Sequence, residues 1–355
     1  MRSTERKQIK QTKEALVAAR LMRRRRKLTL RIAAILFACL LLCAMILIDV
    51  FLFPVEYLWA AVLTPEIEDR KDGQMRVFYL DVGQGDCTLV QLPDGQTLMI
   101  DCGNGESEAI RNILGICVAL GVQKIDHLFI THADADHIGG METVLRCFGA
   151  DTVYLPAEDP EQGRIAQYRE LAQKYCKNVC DTLMLTSMIS EEEENFWYAM
   201  VLGGFPDTEK EGNDTSAILY LEYADRKLLF PGDVSYRVER ELVSIYEQTG
   251  GIVFEVPMQT SYGTVLLSPN ISSLDFLKLG HHGSADATCM EFAEYLHPQN
   301  VFVSCGAGNS YNHPSQEVIE NLLQADASVQ FYRTDELGNI LLTIERDGRY
   351  SVLSV

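Results

Sequence analysis

Hydrophobic and polar positions divide the chain into two regimes. Ile32 to Ile48 is an unbroken run of seventeen residues with no charged or strongly polar side chain. At about 1.5 Å per helical residue this run approaches the ~30 Å hydrocarbon thickness of a bilayer. Leu28, Leu30 and a snorkelling Arg31 extend it in front. Behind it, Asp49 to Pro54 followed by Tyr57 and Trp59 has the make-up of an interfacial exit with aromatic anchors. The pattern predicts a basic tail over 1–27, a single transmembrane helix over 28–53, a linker over 54–74 that ends in the polar stretch Glu66–Gly73, and a folded domain over 75–355. Within that domain Arg76–Val82 alternates as a strand, Gly83-Gln84-Gly85-Asp86 turns the chain into Cys87–Leu92, and Pro93-Asp94-Gly95-Gln96 makes a hairpin turn into Thr97–Ile100. Ala109–Leu120 sets Ile110, Ile113, Leu114 and Cys117 at helical spacing, a core-packing face. Leu128-Phe129-Ile130 closes a buried strand, and Met141–Phe148 follows as a helix. After a looser stretch from Ala150 to Gly212, strands are expected at Ala217–Tyr223, Leu228–Phe230, Leu274–Leu279 and Val301–Ser304, with a helix at Ser315–Gln324.

Charge sharpens this division. Residues 1–31 hold 12 of the 31 Lys+Arg but only Glu5 and Glu14 among the acids, which leaves 19 basic against 48 acidic residues, a balance of −29, for the rest. Five consecutive basic residues, Arg23 to Lys27, place the N-terminus in the cytoplasm by the positive-inside rule and the domain outside the cell. The basic tail also suits anionic lipid. A cleaved signal peptide is the competing interpretation, but the basic region is long and no A-x-A-type site follows the apolar run. An acidic domain repels phosphate backbones, which counts against a DNA substrate, although bound divalent cations would reverse the sign inside a pocket. At 47% apolar and 23% charged the composition is that of a globular protein. Ten Cys without close even spacing do not form a disulfide framework. Cys176 and Cys180 either pair or lie as free thiols on one helical face, the second being preferred.

The chemistry concentrates at Thr131-His132-Ala133-Asp134-Ala135-Asp136-His137-Ile138-Gly139-Gly140, where two imidazoles and two carboxylates fall within six residues on a strand-to-helix turn. Such a turn can aim all four into one pocket, and imidazole nitrogen with carboxylate oxygen suits Zn, Mn or Fe. A solvated polar loop would carry the same letters without the Gly-Gly helix start. Asp81 and Asp101, at strand ends, are candidates to orient metal ligands from behind, while His127 is expected to be structural. Asp233 ends the strand Leu228–Phe230 after Pro231-Gly232; it is either a metal bridge or the N-cap of the segment that begins at Ser235. In Gly280-His281-His282-Gly283-Ser284, adjacent side chains on extended backbone point to opposite sides, so at most one imidazole is expected to bind a given metal.

The ten-residue stretch resembles the metallo-β-lactamase superfamily signature His-x-His-x-Asp-His, with Asp134 in place of the second His. That variant looks like the one in the soluble hydrolase domain of the ComEC family of DNA-uptake proteins. Asp81-Val82-Gly83-Gln84-Gly85-Asp86 matches that family's opening motif, and Asn309-Ser310-Tyr311-Asn312-His313-Pro314 resembles its Asn-x-Tyr-x-His-Pro motif. Six separated motifs over roughly residues 75–345 carry the likeness. It implies an α/β fold, a metallo-β-lactamase-type αββα sandwich of two mixed sheets flanked by helices, preceded here by the single transmembrane helix. It also implies one or two divalent cations, Zn or Mn, held by His132, Asp134, Asp136, His137, Asp233 and His282, with His281 close behind, and Asp136 orienting a nucleophilic water. Asp86, Asn213, Ser284 and His313 become substrate-binding candidates, His313 also acting on the leaving group. No His occurs between His137 and His281, where most dinuclear members supply another ligand; Asn213-Asp214-Thr215-Ser216 stands there instead.

The activity implied is metal-assisted hydrolysis, in which a bound cation supplies hydroxide and stabilises charge on the scissile group. A phosphodiesterase or nuclease acting on single-stranded DNA is the first expectation. Hydrolysis of cell-envelope or small-molecule phosphoesters is the alternative that suits the acidic surface better, and a non-catalytic metal-binding assembly protein is the third. One apolar span cannot form a DNA channel, so any role in uptake requires partner proteins.

Overall fold

The computed structural model describes residues 2–51, 64–156, 164–203, 212–251 and 254–355, together with 54, 57, 60 and 62. It divides into two compact units, Met1–Val55 and Glu56–Val355. The first is the helix Arg2–Phe51, in which one stretch within Leu16–Asp49 is long and apolar enough to cross a membrane. Ile35, Leu36, Phe37, Leu40 and Leu42 are all exposed, as expected of side chains that only lipid would bury. Leu52, Phe53 and Trp59, expected at the interfacial exit, lie outside the described residues.

In the second unit the strands run in chain order as β1 Met75–Tyr79, β2 Thr88–Gln91, β3 Thr97–Ile100, β4 Ile125–Phe129, β5 Ala150–Pro156, β6 Cys176–Thr182, β7 Ser187–Ile189, β8 Trp197–Gly203, β9 Ile218–Tyr223, β10 Arg226–Phe230, β11 Val256–Thr260, β12 Gly263–Leu267, β13 Phe276–Lys278, β14 Asn300–Val303, β15 Gln330–Arg333, β16 Ile340–Ile344 and β17 Tyr350–Ser354. They form an eight-stranded sheet β17-β16-β1-β2-β3-β4-β5-β6, a seven-stranded sheet β15-β14-β13-β10-β9-β8-β7 and the small ribbon β11-β12. Both large sheets are mixed. The register β3-β4-β5-β6 is parallel in one, and β10-β13-β14-β15 is parallel in the other.

Period-two alternation explains the layers. Val77, Tyr79, Val90, Phe129, Trp197, Leu219, Leu221, Phe230, Phe276 and Phe302 fill the space between the sheets. Their strand neighbours face outward: Phe78, Leu89, Met99 and Leu128 toward the helices Ser107–Ala119 and Met141–Phe148, and Met200, Tyr220, Leu229 and Val301 toward the helices Tyr236–Gln248, Met290–Leu296 and Gln316–Ala325. This is the expected helix–sheet–sheet–helix sandwich.

Two local expectations are corrected. Cys176 and Cys180 lie on β6, not on a helix, because that segment pairs with β5 along its whole length; both are free thiols. Part of the segment expected as a linker belongs to the domain, since Ala60 is buried in the outer core and Tyr57 packs on it, edge-on to Phe148 at 5.9 Å.

Candidate metal centre

The carboxyl ends of the parallel strands, where open α/β sheets present ligands, gather the polar motifs. β4 delivers Thr131 and His132, and a single helical turn, Ala135–Ile138, carries Asp136 and His137. The Gly-Gly that follows is a matter of space: a Cβ on Gly140 would lie 2.2 Å from the Cys102 carbonyl oxygen. Gly85 serves the same end from the β1–β2 loop. It has φ +148°, and a Cβ there would meet the Asp136 carbonyl oxygen at 2.5 Å. That close approach lets the Asp86 amide donate to the same carbonyl at 3.0 Å, while the Cys102 amide donates to the His137 carbonyl at 2.6 Å. The ligand turn is thus pinned through its backbone.

From the second sheet, β10 leads into Asp233. Ser235, whose hydroxyl accepts from the Arg237 amide at 3.3 Å, caps the helix Tyr236–Gln248; the carboxylate of Asp233 is therefore not consumed as a cap. It is 3% exposed and sits at the hub of the site. Its Oδ2 lies 3.3 Å from His137 Nε2, 3.6 Å from His282 Nε2, and 3.9 Å from both His132 Nε2 and His281 Nε2. Asp136 Oδ2 is 3.2 Å from His282 Nε2, and Asp134 Oδ2 is 3.9 Å from His132 Nε2. Donors about 2.1 Å from a tetrahedral cation stand roughly 3.4 Å from one another, so this spacing fits metal ligands. Buried polar groups normally have partners, yet His132 Nε2, His137 Nε2 and Asp233 Oδ1 are buried without one.

The opposite edges of the rings are held. Asp101 Oδ2 accepts from His137 Nδ1 at 2.7 Å, and its carboxylate also receives the Thr131 amide and hydroxyl. His282 Nδ1 donates to the Ser304 carbonyl at 3.0 Å. Each contact turns Nε2 inward as the metal-competent atom. The electrostatics agree. Burial, then the neighbouring His137, pushes His132 below its ordinary pKa, toward the neutral form a cation needs. Burial disfavours charge on Asp233, but His137 and His282 outweigh it and hold the carboxyl well below the usual range. Burial likewise opposes charge on His137, but Asp233 and Asp101 hold it well above its ordinary value. The pocket attracts positive charge to its centre.

Asp86 is placed differently from expectation. It is buried, and its two oxygens lie 2.8 and 2.9 Å from Lys278 Nζ, so it faces an ammonium instead of lining an open pocket. Asp86, His137 and His282 do stand close enough to surround an ion. Lys278 already neutralises that carboxylate and the Ser304 carbonyl takes His282 Nδ1, while Asp86 Oδ1 and His137 Nε2 are buried without a hydrogen bond. Sequence reasoning missed Lys278; the available signal was a lone cation inside the apolar run Leu274–Leu279.

The adjacent imidazoles are a second correction. His281 and His282 adopt φ 47° and 54°, so the backbone is left-handed, not extended, and both rings approach Asp233. Asp81 does not reach the ligands: its Oδ1 accepts from the Gly83 amide at 3.1 Å, closing the turn. Asp101 alone does what was expected of the pair. His127 is structural, its Nε2 2.9 Å from Gln96 Oε1. Asn213 Nδ2 lies 3.1 Å from His281 Nε2 and borders a polar hollow of about 400 Å³ that Tyr236, Arg237 and Asp286 also line. Ser284 Oγ accepts from the Asp286 amide at 3.3 Å. His313 stands with its ring centroid 6.0 Å from that of His281 and 6.4 Å from that of His282. Its loop is tied by Asn309, which accepts from the His313 amide and donates to the His313 carbonyl. Burial, then His282 and His281, lowers the His313 pKa.

Residues 80–292 match the family model described as Metallo-beta-lactamase superfamily. ComE operon protein 3 of Bacillus subtilis (strain 168) is 27% identical over 77% of this chain and 34% of its own length. Competence protein ComA of Neisseria gonorrhoeae is 25% identical over 82% of this chain and 36% of its own. The chain therefore spans about a third of the length of these relatives. Among solved structures, CmlA, a diiron β-hydroxylase from Streptomyces venezuelae, aligns with a TM-score of 0.47 at 14% identity, covering 81% of this chain and 55% of that one.

Proposed function

The chain belongs to the metallo-β-lactamase superfamily, and from that premise we propose that it is a metal-dependent phosphodiesterase, with single-stranded DNA among its substrates and with His132, Asp134, Asp136, His137, His282 and Asp233 as the cation-binding side chains. The observation that supports this most is the convergence of imidazole nitrogens, two of them buried without a partner, on the Asp233 carboxylate. When bound, a divalent cation such as Zn or Mn acidifies water and neutralises charge on phosphoryl oxygens. Asp136, the ligand with a carboxylate about one-third exposed at 35%, orients the attacking water and takes up its proton. Asp101 holds His137 in the tautomer that turns Nε2 inward. His313, kept neutral by its surroundings, donates a hydrogen bond to the phosphoryl or leaving-group oxygen. Asn213 and Ser284 position the remainder of the substrate beside the polar hollow, and Asp86 orders the loop behind the site.

The acidic balance of −29 over residues 32–355 favours a second reading, in which the phosphoester belongs to the cell envelope or to a small molecule. The apolar N-terminal helix anchors the protein in the cell membrane, with the basic residues on the cytoplasmic side and the catalytic unit outside; a DNA-uptake role requires partner proteins that supply a channel. The deciding experiment takes the full chain in detergent with Mn or Zn and measures cleavage of labelled single-stranded DNA and of bis(p-nitrophenyl) phosphate, beside Asp136→Ala. DNA cleavage lost in the variant supports the nuclease; cleavage of the simple ester alone moves the substrate to the second class. No cleavage by metal-loaded protein sinks the enzyme and leaves a non-catalytic assembly role. A reporter at the C-terminus that proves cytoplasmic overturns the topology.

A further inference from the structure

Two segments of the second sheet leave their strands through candidate ligands. β10 passes Asp233 and enters the helix Tyr236–Gln248. β13 passes His281 and His282 and continues through 284–289, which is neither strand nor helix, to the helix Met290–Leu296. Three links join the two segments. The His281 amide donates to the Gly232 carbonyl at 3.0 Å, and the Tyr236 amide to the Asp286 carbonyl at 2.8 Å. At the far end the carboxylate of Glu239 accepts the Thr288 amide at 2.7 Å and the Cys289 amide at 3.0 Å. Glu239 lies six positions past Asp233, and Thr288 lies six past His282. This side-chain link therefore closes a frame whose other end holds the ligands.

The closing link is also the costly one. Glu239 is fully buried, and burial, only partly offset by the two amides, pushes its pKa up to about 7; a neutral side chain would fill that place more cheaply. Thr288 is β-branched, yet it has φ 53°, a conformation that such residues rarely adopt. Its own hydroxyl does not hold it there, since Oγ1 is buried without a partner. What holds it is the backbone: the amide goes to Glu239, and the carbonyl accepts from Asn321 Nδ2 at 3.1 Å. Strained backbone persists only where its surroundings over-determine it, and here a buried charge is one of those surroundings.

We propose that Glu239 is a positioning residue of the metal centre: by holding Thr288 in left-handed backbone it fixes the path of 284–289 and thereby seats His282 against Asp233 and Asp136. This rests on the metal-hydrolase reading above. The constraint travels back along linked turns, in which the Ala287 amide donates to the Ser284 carbonyl at 3.0 Å and the Ser284 amide to the His281 carbonyl at 2.8 Å. Amide bonds to a carboxylate are roughly twice as strong as neutral ones, and only a carboxylate offers one oxygen to each amide. The geometry so maintained is His282 Nε2 at 3.6 Å from Asp233 Oδ2 and 3.2 Å from Asp136 Oδ2.

The test separates position from stability. Full-chain protein in detergent is followed without metal by amide hydrogen exchange and thermal unfolding. It is then titrated with Co(II) against a chromophoric chelator, with the ligand field read by visible absorption. In Glu239→Ala, exchange rises at 281–283 as well as at 284–289, Co(II) binding weakens about 10-fold, and the Co(II) spectrum shifts. Glu239→Gln, which keeps the volume and one acceptor, shows the same changes to a lesser degree. Thr288→Gly added to either variant recovers much of the lost affinity, because glycine adopts φ 53° without strain. A lower Tm with unchanged exchange at 281–283 and unchanged Co(II) affinity makes Glu239 architecture alone, which overturns the proposal and leaves the hydrolase reading standing. A loss of affinity that Thr288→Gly does not relieve does the same. No bound Co(II) in the wild type overturns both.

Discussion

Two buried carboxylates near one another are treated in opposite ways. Asp86 carries its own cation: Lys278, itself 5% exposed, reaches both oxygens and also donates to the Leu279 carbonyl at 3.1 Å. Asp233 faces imidazoles instead of an ammonium; the Oδ1 atoms of both carboxylates are buried without a hydrogen bond. A buried carboxylate left unpaired is costly. The fold offsets that cost at Asp86 with a fixed ammonium and at Asp233 with the imidazoles of His137 and His282, which hold its carboxyl low and can exchange their protons for a metal ion, so the first carboxylate is architecture and the second is open to an external cation.

The contrast is most directly broken at its centre. Asp233→Asn should lower metal-dependent hydrolysis by on the order of 10³-fold or more and cost the metal-free protein only part of what Lys278→Met costs, since the imidazoles that face the carboxylate can shed their protons when it is gone; a fall in metal-free Tm as large as that of Lys278→Met would place Asp233 with Asp86 as architecture. Lys278→Met should do the reverse, costing about 3–5 kcal/mol in denaturant unfolding because Asp86 is stranded, while the metal equivalents remain; adding Asp86→Asn should recover much of the loss. Asp101→Asn, behind His137, should weaken metal binding about 10–100-fold with little change in metal-free stability, measured by competition with a chromophoric chelator.

A third buried carboxylate gives the smallest and most distant effect. Glu239 accepts the amides of Thr288 and Cys289 at 2.7 and 3.0 Å and has no cation; burial, only partly offset by those amides, pushes its pKa from 4.5 up to about 7. A carboxyl whose folded pKa is raised binds its proton more tightly when folded, so its contribution is complete below the unfolded value and is lost as pH rises toward about 7. Glu239→Gln should flatten the decline of metal-free stability between these pH values. An unchanged slope would mean that the two amides suffice for the charged form.

Much of the architecture was legible because it is local. Met141–Phe148 is helical as its spacing predicts, and the outward and inward residues of β1, β2, β8 and β9 follow the period of two. What misled was also specific. Cys176 and Cys180 are four apart, compatible with a helix face, but their segment is claimed by the edge of β5. His281 and His282 were expected to diverge because extended backbone was assumed, whereas the hydrogen bonds to Gly232 and Ser284 fold them into a left-handed turn. Asp81 had the same type and strand-end position as Asp101, yet Asp81 satisfies its own turn while Asp101 reaches His137.

Within six residues, the chain alone brings His132, Asp134, Asp136 and His137 onto one turn, since neighbours on a strand-to-helix bend stay together whatever surrounds them. It specifies the seventeen-residue apolar helix for a similar reason, as no tertiary partner is needed to make lipid its solvent. Lys278 meets Asp86 across 192 positions, and Asp136 meets His282 across 146. Those meetings come from the packing of two sheets and the ends at which their strands stop, and no spacing along the chain encodes which distant charge a buried carboxylate will face.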